Sequence, residues 1–434
     1  MSNDQPYHTL DDRPTDAFVT QTLKQTLKHT RFTSLTRALV APRRRRVRRM
    51  ERRPNPAPDP IALRGHASDV QCAVFANATR PFVLETGDAD GVVIAWDVST
   101  RREIRRTRAH GAAAGVLTMV NVGKEGDGDD DFGRLRLTQG RDGTMKLWER
   151  GGRRERQSVT DKRDAESTKT RNAADDDDDD ADDDGDVELT DAAVRTGVHS
   201  FCRSASDGFG RIAYAGTAAG TIVVAKARTR DGVCTAPAIG NEDDELDPKV
   251  GMVMCVAFVG RNHALAGYED GTVILWALDE ETRVASVAWR RRAHEETALC
   301  VDVDTDARGA VTGGADGVIV RYDINVETSP VEVSIVRKHG PYASVVSASS
   351  KQPGVNALAI RSDGKIVACG CWDGKIRIFE YKVKSKGRLL AVLKYHESSV
   401  TDVAFAPDGS FLVSTARDGV AALWNVFPPN GLRQ

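Results

Sequence analysis

A hydroxyl, a histidine and an aspartate occur together several times in this sequence, and such a set could do nucleophilic chemistry. His66, Thr86 and Asp90 form the first set, and a single copy would suggest a hydroxyl–His–Asp triad for acyl transfer. The set recurs along the chain, however, and an aromatic residue stands six positions after each aspartate. One active site would not be repeated in this way. We therefore interpret these residues as structural hydrogen-bonded groups and predict that the protein is not an enzyme.

Four such groups are predicted, which we call quartets. Each combines a histidine in front of one strand, a hydroxyl on the next strand, an aspartate in a turn and an aromatic residue on a third strand. The quartets are His66, Thr86, Asp90 and Trp96; His110, Thr138, Asp142 and Trp148; His294, Thr312, Asp316 and Tyr322; and His396, Ser414, Asp418 and Trp424. Two further copies are weaker, because Ala266 and Cys369 take the place of the hydroxyl residue.

The elements that position these residues are short strands joined by tight turns. Asp-Gly between apolar runs is the strongest short hairpin signal. A degenerate copy of the unit lies between Ile212 and Lys226, where Ala219-Gly220 replaces Asp-Gly. The six Asp-Gly pairs begin at Asp90, Asp142, Asp270, Asp316, Asp373 and Asp418. The pattern resembles WD repeats, which need about 40–45 residues per propeller blade.

The predicted fold is all-β, a seven-bladed WD-repeat β-propeller over residues 60–426. Few residues follow Trp424, so the last blade lacks its own fourth strand. Ile61–Leu63 can supply that strand and close the ring, which hides the sheet edges that an open array would expose. We expect residues 1–59 to be a disordered basic segment and residues 427–434 to be a tail.

Charges are balanced overall but segregated along the chain. The sequence has 61 Lys and Arg against 63 Asp and Glu. A basic run contains Arg43, Arg44, Arg45, Arg46, Arg48 and Arg49. It could be a nuclear import signal, a nucleic-acid contact or a solvated tail. We do not expect direct nucleic-acid binding, because no aromatic residue is interleaved with the arginines.

An acidic insertion is predicted at residues 150–190, between blades two and three. It contains Asp175–Asp180 and Asp182–Asp184, and a block of like charges repels itself and stays disordered. The insertion could be a solvated segment. Alternatively, it could contact histones or other basic partners, or fold back on the arginine run.

The sequence offers no other chemistry. It has no phosphate-binding glycine loop, no His-Glu-x-x-His and no Gly-x-Ser-x-Gly motif, so we predict no catalytic, cofactor-binding or metal site. The seven cysteines include no Cys-x-x-Cys pair and are expected to be buried free thiols. No apolar run is long enough to span a bilayer, so we predict no membrane contact.

Several stretches go beyond a general WD repeat. They include Leu63-Arg64-Gly65-His66, Ile94-Ala95-Trp96-Asp97 and Trp372-Asp373-Gly374-Lys375-Ile376-Arg377-Ile378-Phe379, with Leu423-Trp424-Asn425-Val426-Phe427-Pro428 at the end. On these residues the chain resembles the ASTRA-associated protein 1 family, also called guanine nucleotide-binding protein β-subunit-like protein 1. The resemblance covers most of residues 58–428, and the acidic and basic segments depart from it.

The resemblance implies a non-catalytic scaffold. The family is associated with the ASTRA assembly, a chromatin-linked complex, and with the Tel2–Tti1–Tti2 cochaperone in maturation of phosphatidylinositol-3-kinase-related kinases. It implies partners among the subunits of those complexes, a monomeric propeller within a hetero-complex, and a nuclear location with the cytoplasm as a second site. No binding residue can be carried over from the family.

Two other scaffold functions remain open. A substrate receptor of a cullin ubiquitin ligase often carries Trp-Asp-x-Arg after a blade, whereas this chain has Trp96-Asp97-Val98-Ser99. A G-protein β-like signalling scaffold would be expected to begin with a long coiled-coil helix. Residues 1–59 instead give a short stretch interrupted by arginines and prolines.

Overall fold

Strands account for all of the regular secondary structure that the structure describes. The computed structural model describes residues 59–76, 82–123, 135–150, 187–195, 200–229, 231–236, 250–339, 354–381 and 387–426. These residues form strands β1 to β28, and all lie in the unit Pro56–Gln434. Among them, no helix is long and apolar enough to cross a membrane. The predicted basic segment and C-terminal tail lie outside the described residues.

The first half of the chain contributes two four-stranded sheets and part of a larger one. The first sheet is formed by β2 (Val70–Phe75), β3 (Val83–Asp88), β4 (Val92–Asp97) and β5 (Arg102–Arg108). The second sheet is formed by β6 (Thr118–Val122), β7 (Leu135–Gln139), β8 (Thr144–Glu149) and β9 (Val187–Arg195). In each sheet the strands are antiparallel and follow chain order.

The third sheet has eight strands and consists of two antiparallel halves. The first half contains β10 (Ala205–Ser206), β11 (Arg211–Ala215), β12 (Ile222–Lys226) and β13 (Gly232–Thr235). The second half contains β14 (Val253–Val259), β15 (His263–Tyr268), β16 (Thr272–Asp279) and β17 (Val284–Arg292). One parallel pair, Thr235 with Val284, joins the halves. The degenerate copy predicted around Ile212–Lys226 is therefore a real hairpin.

Three further four-stranded sheets complete the structure. The fourth sheet contains β18 (Ala298–Val303), β19 (Gly309–Gly314), β20 (Ile319–Asn325) and β21 (Glu332–His339). The fifth contains β22 (Val355–Ile360), β23 (Ile366–Cys371), β24 (Lys375–Glu380) and β25 (Leu389–Lys394). The last, which we call the closing sheet, combines β26 (Val400–Phe405), β27 (Phe411–Ala416) and β28 (Val420–Asn425) with β1 (Ile61–Arg64).

The closing sheet joins the two ends of the described chain, as predicted. β1 pairs antiparallel with β28, so that Ala62 lies opposite Ala422 and Leu63 lies opposite Ala421. Leu63 is buried in a cluster that also contains Ala421 and residues of the first sheet such as Phe75. A strand from the start of the fold is thus held by backbone hydrogen bonds on one side and by apolar packing on the other.

The first strands of the sheets contact one another in a closed sequence. β2 contacts β6, β6 contacts β10, and the series continues through β14, β18, β22 and β26, which contacts β2 again. The buried apolar clusters lie between neighbouring sheets or their halves. The core is therefore distributed around a ring of sheets with the first strands at the centre.

Tight turns set the geometry within each sheet. All six predicted Asp-Gly turns have a glycine with positive φ, as has Ala219-Gly220. At Gly91 φ is 84°, and an added Cβ would lie 2.1 Å from the carbonyl oxygen of His110. An L-residue would meet both a strained backbone and a backbone clash there, which explains why the turn needs glycine.

The predicted position of the acidic insertion is wrong. Residues 187–190, expected at its end, belong to β9, and β9 pairs with β8 as the fourth strand of the second sheet. The insertion therefore interrupts the second sheet between its third and fourth strands and does not separate two sheets. The prediction failed because the Asp-rich run obscured a short strand that follows it. Residues 151–186 lie outside the described residues.

Candidate functional site

Two predicted quartets form as expected. His396 precedes β26, and its Nδ1 lies 2.9 Å from Asp418 Oδ2 while its Nε2 lies 2.8 Å from Ser414 Oγ. Trp424 Nε1 donates to the same Ser414 hydroxyl at 2.9 Å. The histidine is thus held between the turn after β27 and the middle of that strand.

The second of these quartets lies in the fourth sheet. His294 Nδ1 is 3.2 Å from Asp316 Oδ1, and His294 Nε2 is 2.7 Å from the Thr312 hydroxyl. Tyr322 replaces tryptophan, with its hydroxyl 2.9 Å from that of Thr312. Burial raises the pKa of Asp316, but hydrogen bonds from His294 and the Val318 amide outweigh it and hold this pKa below its ordinary value. Asp316 is therefore a carboxylate that orients the imidazole.

In the first sheet, Asp88 and not Asp90 completes the quartet. His66 Nδ1 is 2.7 Å from Asp88 Oδ2, His66 Nε2 is 2.7 Å from Thr86 Oγ1, and Trp96 donates to Thr86. Asp88 is buried, and its Oδ1 accepts the amides of Asp90 and Val92. These amides hold the Asp88 carboxylate toward His66 and leave Asp90 in the turn. A usable signal is the 22-residue spacing from His66 to Asp88, which matches His294–Asp316 and His396–Asp418.

In the second sheet a threonine stands between the histidine and the aspartate. His110 Nε2 is 2.9 Å from Thr138 Oγ1, to which Trp148 also donates. His110 Nδ1 lies 3.2 Å from Thr144 Oγ1, and the Thr144 hydroxyl donates to Asp142 Oδ1 at 2.6 Å. The predicted direct contact between His110 and Asp142 is thus replaced by a bridge. Burial and the nearby Lys146 lower the pKa of His110 to about 4.

The two weaker copies use other partners. In β16 the Trp276 indole donates to the Tyr268 hydroxyl at 2.9 Å, since Ala266 offers no acceptor there. In the fifth sheet Asp373 accepts from both terminal nitrogens of Arg377, at 3.0 and 2.8 Å. The turn aspartate therefore keeps a cationic partner although no quartet forms.

The quartets cannot act as nucleophilic sites in this fold. The four hydroxyl residues, Thr86, Thr138, Thr312 and Ser414, are fully buried, so no substrate can reach them. Each hydroxyl already bonds a histidine and an aromatic side chain, which is a tryptophan indole in three quartets and the Tyr322 hydroxyl in the fourth. These groups therefore link the strands of a sheet, and their hydrogen bonds are part of the architecture.

Metal ligation and thiol chemistry were the other possibilities for a reactive site. The described residues contain no set of three or more His, Cys, Asp or Glu side chains that could hold a metal ion. All seven cysteines are free and buried, as predicted, and burial raises the pKa of the Cys255 thiol to about 12. A thiolate nucleophile is therefore not available at that position.

An ion pair spans the middle of the ring. Arg203, just before β10, bonds through Nη1 to Asp402 Oδ1 at 2.8 Å on β26. Its Nη2 donates to the carbonyl oxygens of Gln71 on β2 and Thr401 on β26. One side chain thus ties the third sheet to the first and closing sheets, which are not its neighbours. No periodic feature of the sequence indicated Arg203.

The predicted import residues belong to the basic run of the N-terminal segment. Arg43, Arg44, Arg45, Arg46, Arg48 and Arg49 lie outside the described residues.

One face of the ring is formed by two kinds of connection: the loops before the first strand of each sheet and the turns between its second and third strands. We call this surface the quartet face. His66, His294 and His396 lie in these loops, and Asp316 and Asp418 lie in these turns. Because antiparallel strands alternate direction, every fourth strand also ends at this face.

Comparisons with known proteins agree with this architecture. The family WD domain, G-beta repeat matches residues 342–380 and 387–425. The Cps50 (Swd1) β-propeller domain of Myceliophteria thermophila superposes with a TM-score of 0.60 at 15% identity, covering 85% of this chain and 100% of that one. The fold is therefore an all-β WD40 β-propeller.

Curated relatives match over most of the chain. Guanine nucleotide-binding protein subunit beta-like protein 1 of Mus musculus is 26% identical over 388 residues, covering 86% of this chain and 98% of the relative. ASTRA-associated protein 1 of Verticillium alfalfae is 26% identical over 376 residues, covering 83% and 81%. ASTRA-associated protein 1 of Schizosaccharomyces japonicus is 25% identical over 402 residues, covering 85% and 98%. The chain is a WD-repeat protein related over most of its length to ASTRA-associated protein 1 and guanine nucleotide-binding protein subunit beta-like protein 1.

Proposed function

We propose that this protein is a non-catalytic, seven-bladed WD-repeat scaffold. The closed series of contacts among β2, β6, β10, β14, β18, β22 and β26 supports seven blades, with the two halves of the eight-stranded sheet counted separately. The burial of all four quartet hydroxyls supports a binding function, because the groups that resemble triads are inaccessible. Propellers bind proteins through loops on their faces and at the rim of the central channel.

The specific function that we propose is assembly with the ASTRA complex. The protein would act with the Tel2–Tti1–Tti2 cochaperone in the maturation of phosphatidylinositol-3-kinase-related kinases. The observation that carries this proposal is the alignment with ASTRA-associated protein 1 over more than four-fifths of the chain.

Affinity purification of the tagged full-length chain followed by quantitative mass spectrometry tests this function. The cochaperone subunits and at least one such kinase should be enriched over a purification with an unrelated WD-repeat propeller as bait. Equal recovery in the two purifications would overturn the proposal.

A G-protein β-like signalling scaffold is the second candidate, favoured by the name of the mouse relative. The same purification separates the two functions. Enrichment of a G-protein γ subunit without the cochaperone would support this candidate and contradict the ASTRA function.

We also propose a nuclear location that depends on the arginine run. Replacing Arg43–Arg46, Arg48 and Arg49 by alanine should move a fluorescently tagged chain from nucleus to cytoplasm. A matched control replaces six arginines within the propeller surface, and unchanged localisation of the first variant would contradict the proposal.

A further inference from the structure

The outermost strands carry a positive charge where they reach the quartet face. Arg64, Arg108, Arg292 and Lys394 are each the last residue of an outermost strand, in four different sheets or half-sheets. They lie opposite Val420, Val92, Thr272 and Lys375, which each stand two residues after the turn aspartate. Arg195 on β9 occupies the same register position, opposite Thr144. Basic residues thus recur at one place around the rim, and we call the four with described side chains the basic rim.

Among the residues that the structure describes, no carboxylate forms an ion pair with the basic rim. Arg108 Nη1 donates to the Asp90 carbonyl oxygen, and Arg292 donates to the carbonyl oxygens of Asp270 and Glu295. Arg64 donates to the Tyr395 hydroxyl at 3.1 Å. These acceptors carry no net charge, and all four rim residues are exposed. The hydrogen bonds position the guanidinium groups and leave their positive charge available to a ligand.

Large apolar side chains are exposed inside this rim. Phe201 lies before β10, Met252 lies directly before β14, and Trp372 lies in the turn after β23. Their exposed fractions are 67%, 44% and 46%. Trp372 also borders Gly354, the residue before β22, which places the indole near the mouth of the central channel. Apolar anchors of this size are the residues that dominate binding energy when a partner covers them.

Acidic residues on the same face favour a protein partner over a nucleic acid. Glu269, Glu295, Glu296 and Glu397 are exposed in loops and turns of the quartet face. Phosphates follow one another at short intervals along a nucleic acid, so its backbone would meet these carboxylates as well as the rim. A protein segment can instead place acidic side chains only where the rim is basic.

We propose that the quartet face binds an extended protein segment in which apolar side chains are flanked by acidic ones. The apolar residues would cover Phe201, Met252 and Trp372, and the carboxylates would pair with the basic rim. This inference names the partner chemistry of the scaffold function proposed above and rests on it. The Asp-rich run of this chain fits less well, because Asp175–Asp186 contains only Ala181 and Gly185 besides aspartate.

Selection from a phage-displayed library of random peptides on the purified full-length chain tests this proposal. The charge-reversal variant is Arg108→Glu/Arg292→Glu/Lys394→Glu. Its matched control is Arg101→Glu/Arg283→Glu/Arg388→Glu, which reverses exposed arginines at or just before the opposite ends of β5, β17 and β25. Circular dichroism and thermal unfolding confirm that both variants are folded.

Selected peptides should be enriched in both acidic and apolar residues. Fluorescence anisotropy should show that the charge-reversal variant binds the best peptide about tenfold more weakly, while the control variant binds like wild type. Trp372→Ala should also weaken binding, whereas Phe209→Ala on the opposite face should not. Rising salt should weaken the complex because the rim is exposed to solvent.

Other outcomes would overturn the proposal. The selection could enrich basic or uncharged peptides, or the charge-reversal variant could bind the best peptide as tightly as wild type. A single-stranded oligonucleotide could also bind more tightly than every selected peptide, in a way that depends on the rim. Rim-dependent binding of a synthetic peptide of residues 175–186, which has no large apolar side chain, would overturn the apolar part of the proposal. If the affinity purification does not recover the cochaperone but the peptide experiments succeed, only the ASTRA function is rejected.

Discussion

The histidines of the quartets have a structural role, because both nitrogens of each imidazole make hydrogen bonds to neighbouring side chains. Each described quartet histidine bonds a hydroxyl through Nε2, and its Nδ1 faces a carboxylate or, for His110, a threonine. The same hydroxyl also bonds an indole or a phenol on the third strand. The two nitrogens of each imidazole therefore connect a loop to a strand.

His110 should make stability depend on pH. Its pKa falls from the ordinary 6.5 to about 4 in the folded protein, so the unfolded chain binds a proton first as pH is lowered. Stability attributable to this group is complete above pH 6.5 and is lost as pH falls toward 4, by about 3 kcal/mol in total. Chemical denaturation of His110→Gln should show a correspondingly weaker pH dependence between these values.

Trp148→Phe is the matched control for His110. It removes the indole that donates to Thr138 but no titratable group, so it should lower stability by a similar amount at every pH, about 1 kcal/mol. A pH dependence of His110→Gln identical to that of wild type would show that His110 is not the titrating group.

At the scale of elements, the Asp-Gly turns fix where each hairpin reverses. Gly91→Ala should destabilise the protein by about 2–4 kcal/mol, because φ is 84° and the new Cβ would lie 2.1 Å from the His110 carbonyl oxygen. Gly111→Ala is the control, since an added Cβ there meets no atom within 4 Å. Thermal unfolding compares the two, and equal effects would contradict this account of the turn.

The elements were predictable because their signals are local. Asp-Gly turns, apolar runs and the offset to the aromatic residue all lie within one hairpin. The misplaced insertion arose where a charged run adjoined a strand. The choice of Asp88 over Asp90 depends on which carboxylate accepts the turn amides, and no spacing within the turn reveals that. Arg203 and Asp402 are 199 residues apart, so their pairing has no local signature.

At the scale of the molecule, a ring of sheets is stabilised by contacts between neighbours and, at Arg203, by a contact across the centre. Asp402 Oδ2 also accepts the Ala73 amide at 3.0 Å, so this carboxylate joins β26 to β2 as well as to Arg203. Loss of the guanidinium would leave a largely buried carboxylate without its cationic partner.

Arg203→Met should therefore lower the free energy of unfolding by about 3 kcal/mol. Arg417→Met removes an exposed arginine from the closing sheet and should cost less than about 1 kcal/mol. Denaturant unfolding at neutral pH measures both free energies. If Arg203→Met loses no more stability than the control, the Arg203–Asp402 ion pair does not stabilise the ring.

Ring closure by β1 is tested most directly by a disulfide between Ala62→Cys and Ala422→Cys. These residues lie opposite each other in the antiparallel pair, within the range that a disulfide spans. Ala62→Cys/Ala421→Cys is the register control, because Ala421 lies opposite Leu63 and successive side chains point to opposite faces. After mild oxidation, mass spectrometry should find the linked peptide in the first variant and not in the control. Absence of the Ala62→Cys/Ala422→Cys link, or equal linkage in both variants, would contradict a propeller closed by its N-terminal strand.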